Sequence, residues 1–481
     1  MTKKNERGNA ALALKSGFWY VASTFITKGL AFITTPIFAR LMTTGDYGEF
    51  TNFANWQSLL IIVISGELYN TLARAYYDFK TDFDEYASTT TVMGFFLTLV
   101  FYVFFLVSKG WIFDLVAIPP EFVHLMFFTI LFQSIRQIYL AKERTLYRYK
   151  SVAVISVLTM VIPTVISILI VYKVPETRRL AARMYGFYVP YALIGVYCAA
   201  ALLRKGIRIR KEHVRFALVL AAPLLVHYLT TYVLSSTNTI ITKSVLGAEA
   251  AAVVSIAVSI TNILTMLFQA VTGAMTTYMM DNLELKRHDK VRRCITLFAV
   301  SGAVISAGII LLGPEAVMLI GGRKYTDAIS LVPGSIVAVF LQILTSALAI
   351  ILTYDKNVVK TAVATGAIAA VSVGVKILLL RRLGYGVLPI VNVAAFALTM
   401  IINYLVVRRA GYADCIDKKN ILVIIVGVLA VYAAAGFLYR HTALRYGLIL
   451  AALIAVTVGL VMTGKKWMPF IVKRFKKNKT N

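Results

Sequence analysis

Along most of the chain, apolar residues run for about 20 positions at a stretch, and charged residues gather in short stretches between the runs. A helix of that length covers the roughly 30 Å of hydrocarbon in a bilayer. Inside hydrocarbon a segment must satisfy its own backbone hydrogen bonds, which a helix does by itself. The pattern therefore predicts an all-α, polytopic membrane protein of about fourteen spans, over 16–41, 50–72, 87–108, 121–141, 151–172, 183–203, 216–241, 249–279, 294–320, 328–353, 359–380, 386–407, 420–439 and 444–463. What is left over is too short for a separate soluble domain. The first apolar run is too long for a signal-peptide core and has no small-residue cleavage site, so it is expected to remain as the first helix.

Composition agrees with the pattern. Of 481 residues, 59% are hydrophobic and 15% charged, with a mean hydropathy of +0.77. Soluble domains carry more charge and have no interior large enough for so much apolar surface. Cys198, Cys294 and Cys415 are far apart and in no CxxC spacing, which argues against a disulfide framework, a zinc site or an iron–sulfur cluster. With a cytoplasmic N-terminus, Lys and Arg favour the inner loops by roughly three to one, so both termini are expected in the cytoplasm. The net charge of +28 then faces anionic lipid, and it is not read as a nucleic-acid surface.

Thr35 to Phe50 can be laid over Thr237 to Ala252 so that Gly45 falls on Gly247 and the basic Arg40 and Lys243 lie near one another. That offset places span 7 where span 1 was and divides the first twelve spans into two sets of six, a parallel pseudo-repeat with a cavity between two lobes. The expected division is 1–212 for the N-terminal lobe (helices 1–6), 213–410 for the C-terminal lobe (helices 7–12), and 411–481 for helices 13–14 with a basic cytoplasmic tail.

Polar residues inside spans are costly and normally face protein or water. Span 1 carries Lys28 and, near its outer end, Arg40, which could equally reach the headgroups. Span 2 carries Glu67, Asn70, Thr71, Arg74 and Asp78 at helical spacing, predicting one polar face. The bland reading is that Glu67 and Arg74 pair with neighbouring helices. Gln133, Arg136 and Gln137 lie in span 4, and His227, Asn238 and Thr242 in span 7, His227 fitting a hydrogen-bonded packing role as well. Span 8 has the row Ser255, Ser259, Asn262, Gln269 and Thr276, which suits a lined path or tight small-residue packing. Lys376 in span 11 shares a face with Thr365 and Ser372, yet could instead reach the outer headgroups. The candidate substrate-lining set is Lys28, Arg40, Glu67, Asn70, Arg74, Arg136, His227, Asn238, Asn262, Gln269 and Lys376. Its buried charge is mainly positive, which suits a diphosphate better than a cationic drug. No Walker loop, HExxH or GxSxG occurs, and the short loops leave no room for a catalytic domain, so a transporter and not an enzyme is expected.

The run SGFWYVASTFITKGLAFITTPIFARLMTTGDYGEF (Ser16 to Phe50), with RAYYDFKTDFDEY (Arg74 to Tyr86), resembles the opening of the polysaccharide transporter family, the Wzx-type flippases of the multidrug/oligosaccharidyl-lipid/polysaccharide exporter superfamily. The resemblance continues through GPEAVMLIGGRKYTDAISLVPG (Gly313 to Gly334) and RLGYGVLPIVNVAAFAL (Arg382 to Leu398). One departure is that Lys376 stands in a span where family members often carry asparagines. The resemblance implies a fourteen-helix flippase of the cell membrane that moves undecaprenyl-diphosphate-linked oligosaccharide repeat units to the outer leaflet by alternating access, for O-antigen, capsule or exopolysaccharide. Its implied partners are the polyprenyl-diphosphate-linked glycan, the lipid bilayer, and a polysaccharide polymerase with its chain-length machinery. No cofactor is expected, although H+ or Na+ could serve as coupling ion. A peptidoglycan lipid-precursor flippase and a cation-coupled multidrug exporter stay open as alternatives.

Overall fold

The structure is a computed structural model, which describes residues 26, 29–30, 33–108, 118–204, 206–355 and 358–451. Among the described residues the secondary structure is helical, with no strand. Eleven helices among the described residues are long and apolar enough to cross a membrane, and the chain is a multi-pass membrane protein. In chain order the helices are α1 (33–41), α2 (Thr44–Ser65), α3 (Leu72–Asp78), α4 (Phe83–Val107), α5 (Val123–Thr145), α6 (Tyr149–Lys173), α7 (Arg179–Leu203), α8 (Lys211–Ser236) and α9 (Asn238–Leu246). There follow α10 (Ala248–Glu284), α11 (His288–Leu311), α12 (Gly313–Ile320), α13 (Ala328–Tyr354), α14 (Val358–Leu383), α15 (Val387–Arg409), α16 (Lys418–Arg440) and α17 (Thr442–Ala451).

Spans 3–6, 8 and 10–13 of the sequence reading coincide with α4–α7, α10, α13, α14, α15 and α16 to within about five residues. Span 7 falls across α8 and α9 together, and span 9 covers most of α11 and all of α12, with a break at Leu312 between them. Much of spans 1 and 14 lies outside the described residues. Span 2 differs. α2 starts earlier, with the Thr43 hydroxyl accepting from the Asp46 amide as N-cap, and ends at Ser65. Gly66 and Glu67 then both take left-handed backbone conformations, at φ 55° and 56°. A glycine adopts that geometry freely, whereas Glu67 does so at a cost of roughly 1–2 kcal/mol. The chain re-enters through a 3-10 turn, Leu68–Thr71, before α3. Glu67, Asn70, Arg74 and Asp78 therefore do not share one face of a continuous helix.

In the N-terminal half, α5 and α6 pack on α7 and α4 packs on α5; in the C-terminal half, α13 packs between α10 and α15, α14 on α15, and α16 on α11. α8 touches α2 and α4 on one side and α14 on the other. Three apolar clusters follow from this packing. Phe53, Phe122, Met126, Met184 and Tyr188 form one. Leu68, Leu72, Tyr86, Ile138 and Leu202 form a second, joined by Ala217 and Ala221 of α8. The third fills the C-terminal half and also takes in Phe38, Ala39, Met42 and Tyr47 from the start of the chain.

Candidate functional site

The two halves meet at the end of the bundle that carries Arg40. The corner between α1 and α2 inserts there into the C-terminal half. Arg40 donates from Nη2 to the carbonyl of Leu319 at 2.8 Å, and Lys324 Nζ donates to that of Met42 at 3.3 Å. Lys243 on α9 pairs with Glu49 on α2 at 2.5 Å, the lysine side chain only 8% exposed. Tyr47 meets the Tyr325 ring edge-on at 6.0 Å, and its hydroxyl bonds to Thr35 and Ser259. Arg183, the first residue of span 6, is buried at this end. Its guanidinium lies over Phe38 at 3.5 Å and Phe50 at 4.3 Å, with Nη1 donating to Ser167 at 3.0 Å.

Small residues make this closure possible. A Cβ on Gly48 would stand 1.9 Å from the carbonyl oxygen of Ala248, so α2 and the start of α10 approach as only glycine allows. The row foreseen on span 8 has two parts. From Ala251 to Thr261, α10 is buried almost throughout, and the Ser255 hydroxyl is spent on the carbonyl one turn back. From Asn262 onward exposed positions recur, Gln269 and Tyr278 among them. The halves are thus sealed at the Arg40 end and α10 becomes exposed toward the Glu67 end. The row packs in its first half and includes exposed side chains in its second.

A chain of polar groups runs through the N-terminal half toward the Glu67 end. Gln57 on α2 donates to Gln133 on α5 at 2.9 Å. One turn on, Arg136 donates from Nη2 to the Tyr191 hydroxyl at 2.6 Å and lies 5.0 Å from that ring's centroid. Its Nε and the Gln137 Oε1 are buried with no partner among the described residues. Glu67 accepts from Asn70 at 2.6 Å and from Tyr69, with Tyr228 of α8 close enough to feel its charge. Arg74 is placed differently: it is exposed and pairs with Asp78 at 3.0 Å.

In the C-terminal half Lys376 is fully buried, with no hydrogen-bond partner for Nζ among the described residues. It reaches neither headgroups nor open space in this conformation. Asn238 on α9 and Asn392 on α15, helices that pack against α14, are buried with Oδ1 atoms that have no partner among the described residues. Lys28 and the His227 side chain lie outside the described residues. Arg40, for which lining and a reach to the headgroups both stood open, is exposed and bonds across the closure. Arg183 and the Glu49–Lys243 pair were missed, since partners 194 positions apart leave no local sequence signal.

A family model described as polysaccharide biosynthesis protein matches residues 13–281. Among solved structures, the lipid II flippase MurJ in an inward closed conformation is similar with a TM-score of 0.71 at 12% identity, over 94% of this chain and 99% of that one. An inward-facing multidrug resistance MATE transporter of the MOP superfamily gives 0.61 at 15% identity, over 84% and 99%. An outward-facing MATE transporter gives 0.58 at 14%, over 83% and 96%. At these identities the likeness is one of fold. No curated protein matches the chain.

Proposed function

The chain belongs to the polysaccharide biosynthesis protein family, and from that premise we propose that it carries polyprenyl-diphosphate-linked oligosaccharides from the cytoplasmic to the outer leaflet by alternating access. The Arg40 end faces outward in this reading, as the Lys/Arg bias assigns it, so the present conformation is closed outside. Residues 1–212 and 213–410 act as the two lobes, and 411–481 adds two helices beside them. The observation that carries the proposal is Arg136: a mid-bundle guanidinium whose Nε has no partner among the described residues, on the polar chain that leads toward the Glu67 end. An arginine offers forked donors that match phosphate oxygens, and it does so most strongly where water is excluded.

Substrate binding from the cytoplasmic side would bring the diphosphate to Arg136 and the glycan against Asn262 and Gln269. Binding then favours the outward-open state only as far as its affinity there is higher. Transition requires the Glu49–Lys243 pair and the α2–α10 contact to separate while the Glu67 end closes. In this reading Lys376, buried in the present conformation, acts in the second state, and H+ or Na+ is the proposed coupling ion.

The test is export of surface glycan by Arg136→Ala and Arg136→Lys, with protein level in the membrane measured alongside. Loss of a charge-assisted hydrogen bond predicts a fall of at least about ten-fold for alanine, and partial recovery with lysine, which keeps the charge but not the fork. Normal export by Arg136→Ala would return this residue to a packing role.

A further inference from the structure

At the Arg40 end a cleft of about 770 Å³ opens between the start of α13, the turn before α15 and the end of α16. It stands apart from the polar chain and from the α2–α10 closure. Tyr385, Tyr432 and Tyr439 line it, with Pro333 as apolar floor and Asp327 and Ser330 as polar groups. Its size falls within the roughly 300–1,000 Å³ of ligand-binding sites.

The side chains are held in place. Tyr385 donates to Asp327 Oδ2 at 3.0 Å, Tyr439 to the Ile310 carbonyl at 2.6 Å, and Ser330 to the Asp327 carbonyl at 2.8 Å. The Tyr432 ring sits where Gly334 has no side chain, 3.4 Å from the place of a Cβ. Asp327 Oδ1 and the Tyr432 hydroxyl have no hydrogen bond within the described residues. Fixed ring faces with a carboxylate oxygen to spare suit a ligand that has apolar C–H faces and hydroxyl edges. An acyl chain would bury Asp327 and the Tyr432 hydroxyl without partners, and a phosphate would meet the Asp327 charge.

We propose that this cleft is a saccharide-binding subsite, which holds the glycan of the translocated lipid at the outer mouth. The proposal rests on the transport reading for the identity of its ligand. On the transport reading this end faces outward, where the glycan of a lipid-linked substrate emerges, and the cleft lies at the seam between α13, the turn before α15 and α16. Sugar retained there would keep the delivered unit from re-entering the open lobes.

The experiment uses the full-length protein in phosphatidylglycerol nanodiscs, with the oligosaccharide that mild acid releases from the cell's own polyprenyl-diphosphate glycan as probe. Saturation-transfer NMR reports its binding. Asp327→Asn and Tyr432→Leu are each expected to weaken binding roughly ten-fold, the loss of one charge-assisted or stacking contact, with thermal midpoints near wild type. Arg136→Ala should leave free-oligosaccharide binding intact while losing transport. Binding unaffected by both cleft variants, or no binding to wild type, overturns the subsite. So does competition by nanodiscs that contain phosphatidylethanolamine, which would assign the cleft to a lipid headgroup. If the oligosaccharide binds as described but the lipid-linked form is not translocated by wild type, the subsite stands and the transport reading falls.

Discussion

Charged residues that look alike in the sequence take different parts in the structure. Arg74 and Arg136 both stand in the candidate lining set, yet Arg74 is an exposed partner of Asp78 and Arg136 sits mid-bundle on Tyr191. An exposed pair contributes little, about 0–1 kcal/mol, so Arg74→Ala is expected to keep export within about two-fold of wild type, in contrast to Arg136→Ala. A loss as large as that of Arg136→Ala would put Arg74 back on the substrate path. Glu67 tests its own backbone. Glu67→Gly removes both the left-handed cost and the contact to Asn70, and should leave the thermal midpoint of the purified protein nearly unchanged. Glu67→Leu keeps a cost of about 1–2 kcal/mol and loses the contact, and should lower that midpoint. Equal midpoints for the two variants would mean that the conformation at 67 is not strained. At this scale the sequence pointed to which residue types matter, since polar groups within apolar runs are few. It could not say that Arg183 is sandwiched by Phe38 and Phe50, because that environment comes from three helices meeting.

For the elements, length and hydropathy are enough to find most spans, since each must cover hydrocarbon and satisfy its own backbone. The break after Ser65 was not legible, because Gly66 inside an apolar run is ordinarily tolerated and nothing in Glu67 announces a left-handed residue. Nor was the division of α10, in which a single row of small and polar residues packs tightly to Thr261 and is open beyond it. That division makes the α2–α10 contact a candidate outer gate. With the 1.9 Å approach at Gly48, any longer side chain must push the helices apart. Gly48→Leu is therefore expected to hold the outer side open and abolish export. The readout is Ser255→Cys in a background without Cys198, Cys294 and Cys415: an impermeant maleimide should label it from the Arg40 side in the Gly48→Leu variant and not otherwise. Unchanged labelling would show that this contact is not the gate.

At the scale of the molecule, the described residues are sealed between the halves at the Arg40 end and leave α10 more exposed toward the Glu67 end, and in the transport reading the direction depends on which end faces the cytoplasm. Charge bias was readable for that purpose from the loops alone, whereas closure was not, since it depends on Lys243 finding Glu49 across the two halves. Cysteines placed at Arg323 and at Arg287 should be labelled by an impermeant reagent on intact cells only at 323; labelling at 287 instead would invert the direction proposed here. The most direct test of the transport claim is reconstitution. Lipid-diphosphate glycan extracted from cells that accumulate it is placed in both leaflets of vesicles with the purified protein, and impermeant periodate is added outside. With wild type the oxidised fraction should rise from the outer leaflet's share toward the whole pool, while with Arg136→Ala it should stay at that share. Oxidation that stops at the outer leaflet with wild type, in vesicles that nonetheless transport a cationic dye, would contradict the account.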